Sequence, residues 1–99
     1  MKNKKQNIPE KFLSANTEMT LNQIYSKLLN FCKENNLECK NEVKNKLIIF
    51  DKNKNYFWVE IIESTSINTL NIVKFFHKKN TGTKMKELCT KLFIEIFNY

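Results

Sequence analysis

The sequence predicts an α+β domain of order β-α-β-β-β-β-α, a four- to five-stranded antiparallel sheet with two helices packed on one face. Three observations predict it. Two stretches repeat apolar residues at three- and four-residue steps, as amphipathic helices do. Several short runs are β-branched or aromatic, as strands are. Short polar links join the runs, which favours an antiparallel meander, and two one-sided helices must cover one face of it.

The elements follow in order. Residues 1–10 form a mostly polar, basic segment expected to be flexible. Phe12-Leu13-Ser14-Ala15 is a short first strand. Residues 20–35 form the first helix: Leu21, Ile24, Tyr25, Leu28, Phe31 and Cys32 share one face, Thr20 with Gln23 reads as a capping box, and Asn35-Asn36 ends the helix. Leu37 and Cys39 alternate with charged residues in a second strand. Leu47-Ile48-Ile49-Phe50 is a third, and Asp51-Lys52-Asn53-Lys54-Asn55 is a hairpin loop. In the strand 56–62, Phe57, Val59 and Ile61 point one way and Tyr56, Trp58, Glu60 and Ile62 the other. After a polar link, 64–69, the last strand spans 70–77. The final helix, from 84 to about 97, carries Met85, Leu88, Cys89, Leu92 and Ile96 on one face.

Ninety-nine residues make one domain, with 41% hydrophobic residues for one modest core. Net charge is +7, all 17 basic residues are lysine, and asparagine is abundant. That pairing reads as compositional bias, so lysine number alone argues little. The absence of arginine argues against bidentate recognition of phosphate or guanine. With no apolar segment after Met1-Lys2-Asn3-Lys4-Lys5 and no long apolar run, we expect a soluble cytoplasmic or nuclear protein with free thiols.

No catalytic constellation stands out. His77 is the single histidine, and Cys32, Cys39 and Cys89 fall on inward positions where a thiol acts as a small hydrophobe. Their spacing does not match a metal-ligand motif, one glycine cannot build a phosphate loop, and no cofactor is implied. An enzyme with a Cys39 or Cys89 nucleophile is the weakest reading.

Two features are candidate binding sites. Lys74, His77, Lys78, Lys79, Lys84 and Lys86 cluster in sequence around a turn holding Gly82, the one glycine, which is expected to need positive φ or close backbone approach. A solvated strand end explains the cluster equally well. Against an anionic membrane, four such lysines supply only about 4 kcal/mol, a millimolar affinity. Tyr56 and Trp58 are the second feature. They lie on an open sheet face if the helices cover the Phe57 face; the alternative packs Trp58 beneath the N-terminal segment.

The chain resembles the kinase-associated domain 1 found at the C-terminus of Ser/Thr protein kinases. Lys11-Phe12-Leu13-Ser14, the strand Phe57-Trp58-Val59-Glu60-Ile61-Ile62-Glu63, and Val73-Lys74-Phe75 followed by Lys79-Asn80-Thr81-Gly82-Thr83-Lys84-Met85-Lys86 carry the resemblance over 11–99. The checkpoint-kinase type is nearest, followed by the microtubule-affinity-regulating and AMP-activated types. Leu13 replaces an aromatic residue, Asn80 a glycine, and Lys84 an acidic residue. The resemblance implies a monomeric, non-catalytic regulatory domain. It would dock on a kinase catalytic domain and inhibit it, or bind a regulatory protein or anionic phospholipid through basic residues near the last strand. The chain has none of the kinase catalytic motifs. The alternative is a small basic RNA-binding module similar to an Alu-binding subunit of signal recognition particle, with Tyr56 and Trp58 stacking on bases. The lack of arginine and of an aromatic RNA motif weighs against it.

Overall fold

A computed structural model describes residues 9–65, 70–78 and 81–97, with the backbone alone for 9–12 and 97. The element order is β1 (Pro9–Thr17), α1 (Leu21–Glu34), β2 (Glu38–Val43), β3 (Lys46–Phe50), β4 (Tyr56–Ile62), β5 (Asn71–Lys78) and α2 (Thr83–Phe97). The strands form one antiparallel sheet in the order β1-β5-β4-β3-β2. The last four strands are the expected meander, and β1 closes the β5 side. β1 is longer than the four residues expected and starts inside the segment read as flexible, because Pro9 already pairs with Lys78.

Helix α1 starts where the capping box places it. Thr20 Oγ1 accepts from Gln23 N at 3.2 Å, and Gln23 Oε1 accepts from Thr20 N at 2.8 Å. It ends as the paired asparagines require: Asn35 N donates to Cys32 O and Phe31 O, and Asn36 turns the chain at φ 57°.

Strand alternation decides which face is buried. In register across β3, β4 and β5, Leu47, Val59 and Phe75 form one row, Ile49, Phe57 and His77 the next. The apolar members of these rows join Ile24, Leu28 and Phe31 of α1 and Met85, Cys89, Leu92 and Ile96 of α2 in a single core. Phe75 meets Phe93 edge-on at 5.5 Å. Each large side chain buried there contributes roughly 1.5–3 kcal/mol. Both helices therefore cover one face, and among the described residues the opposite face carries none. Cys32 and Cys89 are buried, Cys39 is half-buried, and the three form no disulfide. Among the described residues, no helix is long and apolar enough to cross a membrane.

The links are held by side chains. Asp51 Oδ1 accepts from Asn53 N and Asn55 N, closing the β3–β4 loop. Asn71 ties two distant links together: its Nδ2 donates to Met19 O, and its Oδ1 accepts from Ser64 N, each at 2.8 Å.

The expectation for Gly82 is overturned. Its φ is not positive, and a Cβ placed there would stand 3.5 Å from Asn55 Nδ2, an ordinary contact. Gly82 instead caps α2, its carbonyl accepting from Lys86 N at 3.0 Å. The left-handed backbone positions among the described residues belong to Asn36, Asn45 and Lys54.

Candidate functional site

The alternation that buries Phe57, Val59 and Ile61 turns the other β4 side chains onto the helix-free face. Across the sheet, Ile48, Trp58 and Phe76 stand in one row, with Phe50 and Tyr56 in the next. The Trp58 indole lies nearly parallel to the Phe76 ring, with centroids 5.3 Å apart and planes at 8°. Tyr56 tilts toward Trp58 at 6.1 Å. These rings and Ile48 are half-buried and adjacent, so they form a continuous apolar stripe over the centre of the sheet.

Cations border the stripe. Lys46 Nζ lies 5.7 Å from the Trp58 ring centroid, and Lys78 Nζ lies 5.5 Å from that of Tyr56. Lys74 stands opposite Glu60 in register. The acids are largely occupied: Glu60 Oε2 accepts from Trp58 Nε1 at 3.3 Å, and Glu42 pairs with Lys46 at 3.1 Å. Among the described residues, neither Lys74 nor Lys78 is ion-paired. Two clefts open beside the stripe and share Ile48 and Tyr56. One, about 370 Å³, runs between Lys46, Trp58 and Lys78; the other, about 580 Å³, runs beneath Phe50, Lys40 and Lys54.

The sheet divides the lysine cluster that is contiguous in sequence. Lys74 and Lys78 alternate onto the open face with Tyr56 and Trp58. His77, 7% exposed, points to the helix side, and its Nδ1 donates to Lys78 O at 3.1 Å. Lys84 and Lys86 ride on the first turns of α2, in the helix layer. Lys79 lies outside the described residues, as does the 1–8 segment beneath which Trp58 was alternatively expected to pack. Gly82 takes no part in the stripe.

Thr81 positions the edge of the site. It is 8% exposed, its hydroxyl accepts from Lys78 N and donates to Tyr56 O, and its own N–H donates to Lys78 O. This double clasp fixes the end of β5 beside the start of β4 and holds Lys78 over Tyr56. Sequence reasoning missed Thr81, and also Ile48, Phe50, Phe76 and Lys46. The alternation of β3 and β5 carried a signal for the last four, but only once their register with β4 is known.

The Cys32 thiol is not poised as a nucleophile. Burial pushes the Cys32 thiol up to about 12, and the neighbouring Cys39 adds to the effect by charge and by a hydrogen bond. A thiol so shifted stays protonated at neutral pH. No group of three or more metal-ligating side chains comes together among the described residues.

Comparison with protein-family models, with curated proteins and with solved structures finds no match for this chain.

Proposed function

We propose that the chain is a non-catalytic docking module that regulates a Ser/Thr protein kinase, as its resemblance to the kinase-associated domain 1 implies. The observation that carries the docking reading is the helix-free sheet face, where Tyr56, Trp58 and Phe76 form an apolar stripe bordered by Lys46, Lys74 and Lys78. A sheet covered on one side keeps an aromatic stripe on the other when that side meets a partner. The element order β-α-β-β-β-β-α is the one that the resemblance, resting on order and short motifs, implies.

Base stacking on the same face is the weaker reading. Phe76 occupies one face of the Trp58 ring, Lys46 lies over the indole, and Lys78 lies over Tyr56. Bases need open ring faces to stack on.

The test is a catalytic domain of a checkpoint-type Ser/Thr kinase supplied in trans. The chain is expected to bind it and lower its rate of peptide phosphorylation. Absence of both binding and inhibition would refute the kinase assignment.

A further inference from the structure

We infer that the open sheet face takes an extended acidic protein segment whose apolar side chain enters the clefts beside Ile48 and Tyr56. The inference rests on the docking reading above and names the chemistry of the partner.

Charge selects the acid. Lys40, Lys54, Lys74 and Lys78 surround the stripe, while Glu60 and Glu42 are already engaged by Trp58 and Lys46. Asp51 is likewise occupied by two backbone N–H groups. Hydrogen bonds from neutral donors leave Glu60 and Asp51 anionic, but Lys40, Lys46, Lys52, Lys54, Lys74 and Lys78 outnumber Glu38, Glu42, Asp51 and Glu60, so the face carries net positive charge around an apolar centre. Lysine is a point charge on a flexible stem, suited to carboxylates arriving at no fixed angle. Complementary charge sets orientation and speeds encounter; the apolar contact supplies the anchor.

Shape selects a protein segment over the other anionic partners. The clefts, of about 370 and 580 Å³, are large enough for a leucine or phenylalanine side chain. The stripe is half-buried in the plane of the sheet and, among the described residues, has no protruding loop of apolar residues to enter a bilayer. Of the large exposed apolar residues, Ile62 lies on the same face but beyond the Glu60–Lys74 row, and Leu29 and Ile94 ride on the helices. Nucleic acid would need the ring faces that Phe76, Lys46 and Lys78 occupy. A polypeptide supplies both carboxylates and an aliphatic side chain without needing those faces.

Trp58 is the single tryptophan, so its emission reports this surface directly. The experiment titrates the full chain with a short synthetic peptide that has a Leu-Phe centre flanked by glutamates. The expected result is a saturable change in Trp58 emission that weakens with added salt. It should weaken at least tenfold in the double variant Lys46→Glu/Lys78→Glu and stay within twofold in Lys84→Glu/Lys86→Glu. Should the first variant unfold, the milder Lys74→Gln/Lys78→Gln, checked by circular dichroism, should still weaken binding several-fold. No saturable change, or loss only in the α2 variant, overturns the proposal. So does a response to phosphatidylserine vesicles or to polyuridylate without one to the peptide. Peptide binding without kinase binding would sink the kinase assignment alone; kinase binding without peptide binding would sink this inference alone.

Discussion

The indole of Trp58 and the ring of Phe76 stack across the β4–β5 pair, 5.3 Å between centroids and 8° from parallel, on the side of the sheet that no helix covers. Stacking of this kind between neighbouring strands adds about 0.5–1.5 kcal/mol beyond the area it buries. It also makes the open face a preformed surface. The rings are held in place before any partner arrives, so less ordering is required on binding.

Phe76→Ala should therefore loosen the site without unfolding the sheet. We expect a loss of about 1–3 kcal/mol in urea unfolding and a red shift of Trp58 emission in the folded protein, with the far-ultraviolet dichroism retained. An unshifted emission maximum would mean that Phe76 does not shield Trp58.

Asn71 joins the β1–α1 link to the β4–β5 link through Met19 O and Ser64 N. Removing its amide deletes both hydrogen bonds. Asn71→Ala should cost about 1–3 kcal/mol. Native-state hydrogen exchange should locate the loss at Ser64, whose amide is expected to exchange faster while Val59 in the core of β4 changes only by the global shift in stability.

Much of the fold is legible in the sequence because local physics decides it. Thr20 and Gln23 close α1 by themselves, and strict alternation in β4 separates Phe57, Val59 and Ile61 from Tyr56 and Trp58. The site was less legible. The lysine run around Gly82 is contiguous in the chain, but a strand, a turn and a helix distribute it between two layers: alternation sends Lys74 and Lys78 outward and His77 inward, while α2 carries Lys84 and Lys86 to the helix side. The partnership of Trp58 with Phe76 and Ile48 depends on strand register, and the polar link before β5 does not specify that register.

Gly82 and Lys54 illustrate a second reason. The one glycine stands at a helix cap with unstrained φ, whereas Lys54 holds φ 68° with a full side chain. Gly82→Asp should stabilise the protein by about 0.5–1 kcal/mol, since α2 has no acidic residue in its first turn. Lys54→Gly should stabilise by a similar amount, about 0.5–1 kcal/mol, by relieving the left-handed position. Thermal melting checks both. A drop in melting temperature for Gly82→Asp would restore a steric requirement for glycine there.

Cys32 makes stability sensitive to alkali. Its thiol is pushed up from 9.0 to about 12 in the folded protein, chiefly by burial. The folded state then holds its proton more tightly than the unfolded chain. That contribution is fully present below pH 9 and is lost as pH rises toward about 12. Tyr25, also raised by burial, acts in the same direction at higher pH. Urea midpoints should fall with pH above about 9, and the fall should be shallower in Cys32→Ala. Iodoacetamide at pH 8 should reach the half-buried Cys39 before Cys32 in the folded protein. Prompt labelling of Cys32 would contradict its protected state.

The central claim is that this chain docks through the sheet face opposite its helices. The most direct measurement is an amide and side-chain chemical-shift map of the isotope-labelled chain on addition of a checkpoint-type kinase catalytic domain. The account predicts shifts concentrated at Ile48, Tyr56, Trp58, Lys74, Phe76 and Lys78, with the Trp58 indole N–H among the largest. Shifts confined to α2 around Lys84 and Lys86, with the Trp58 indole unmoved, would contradict it.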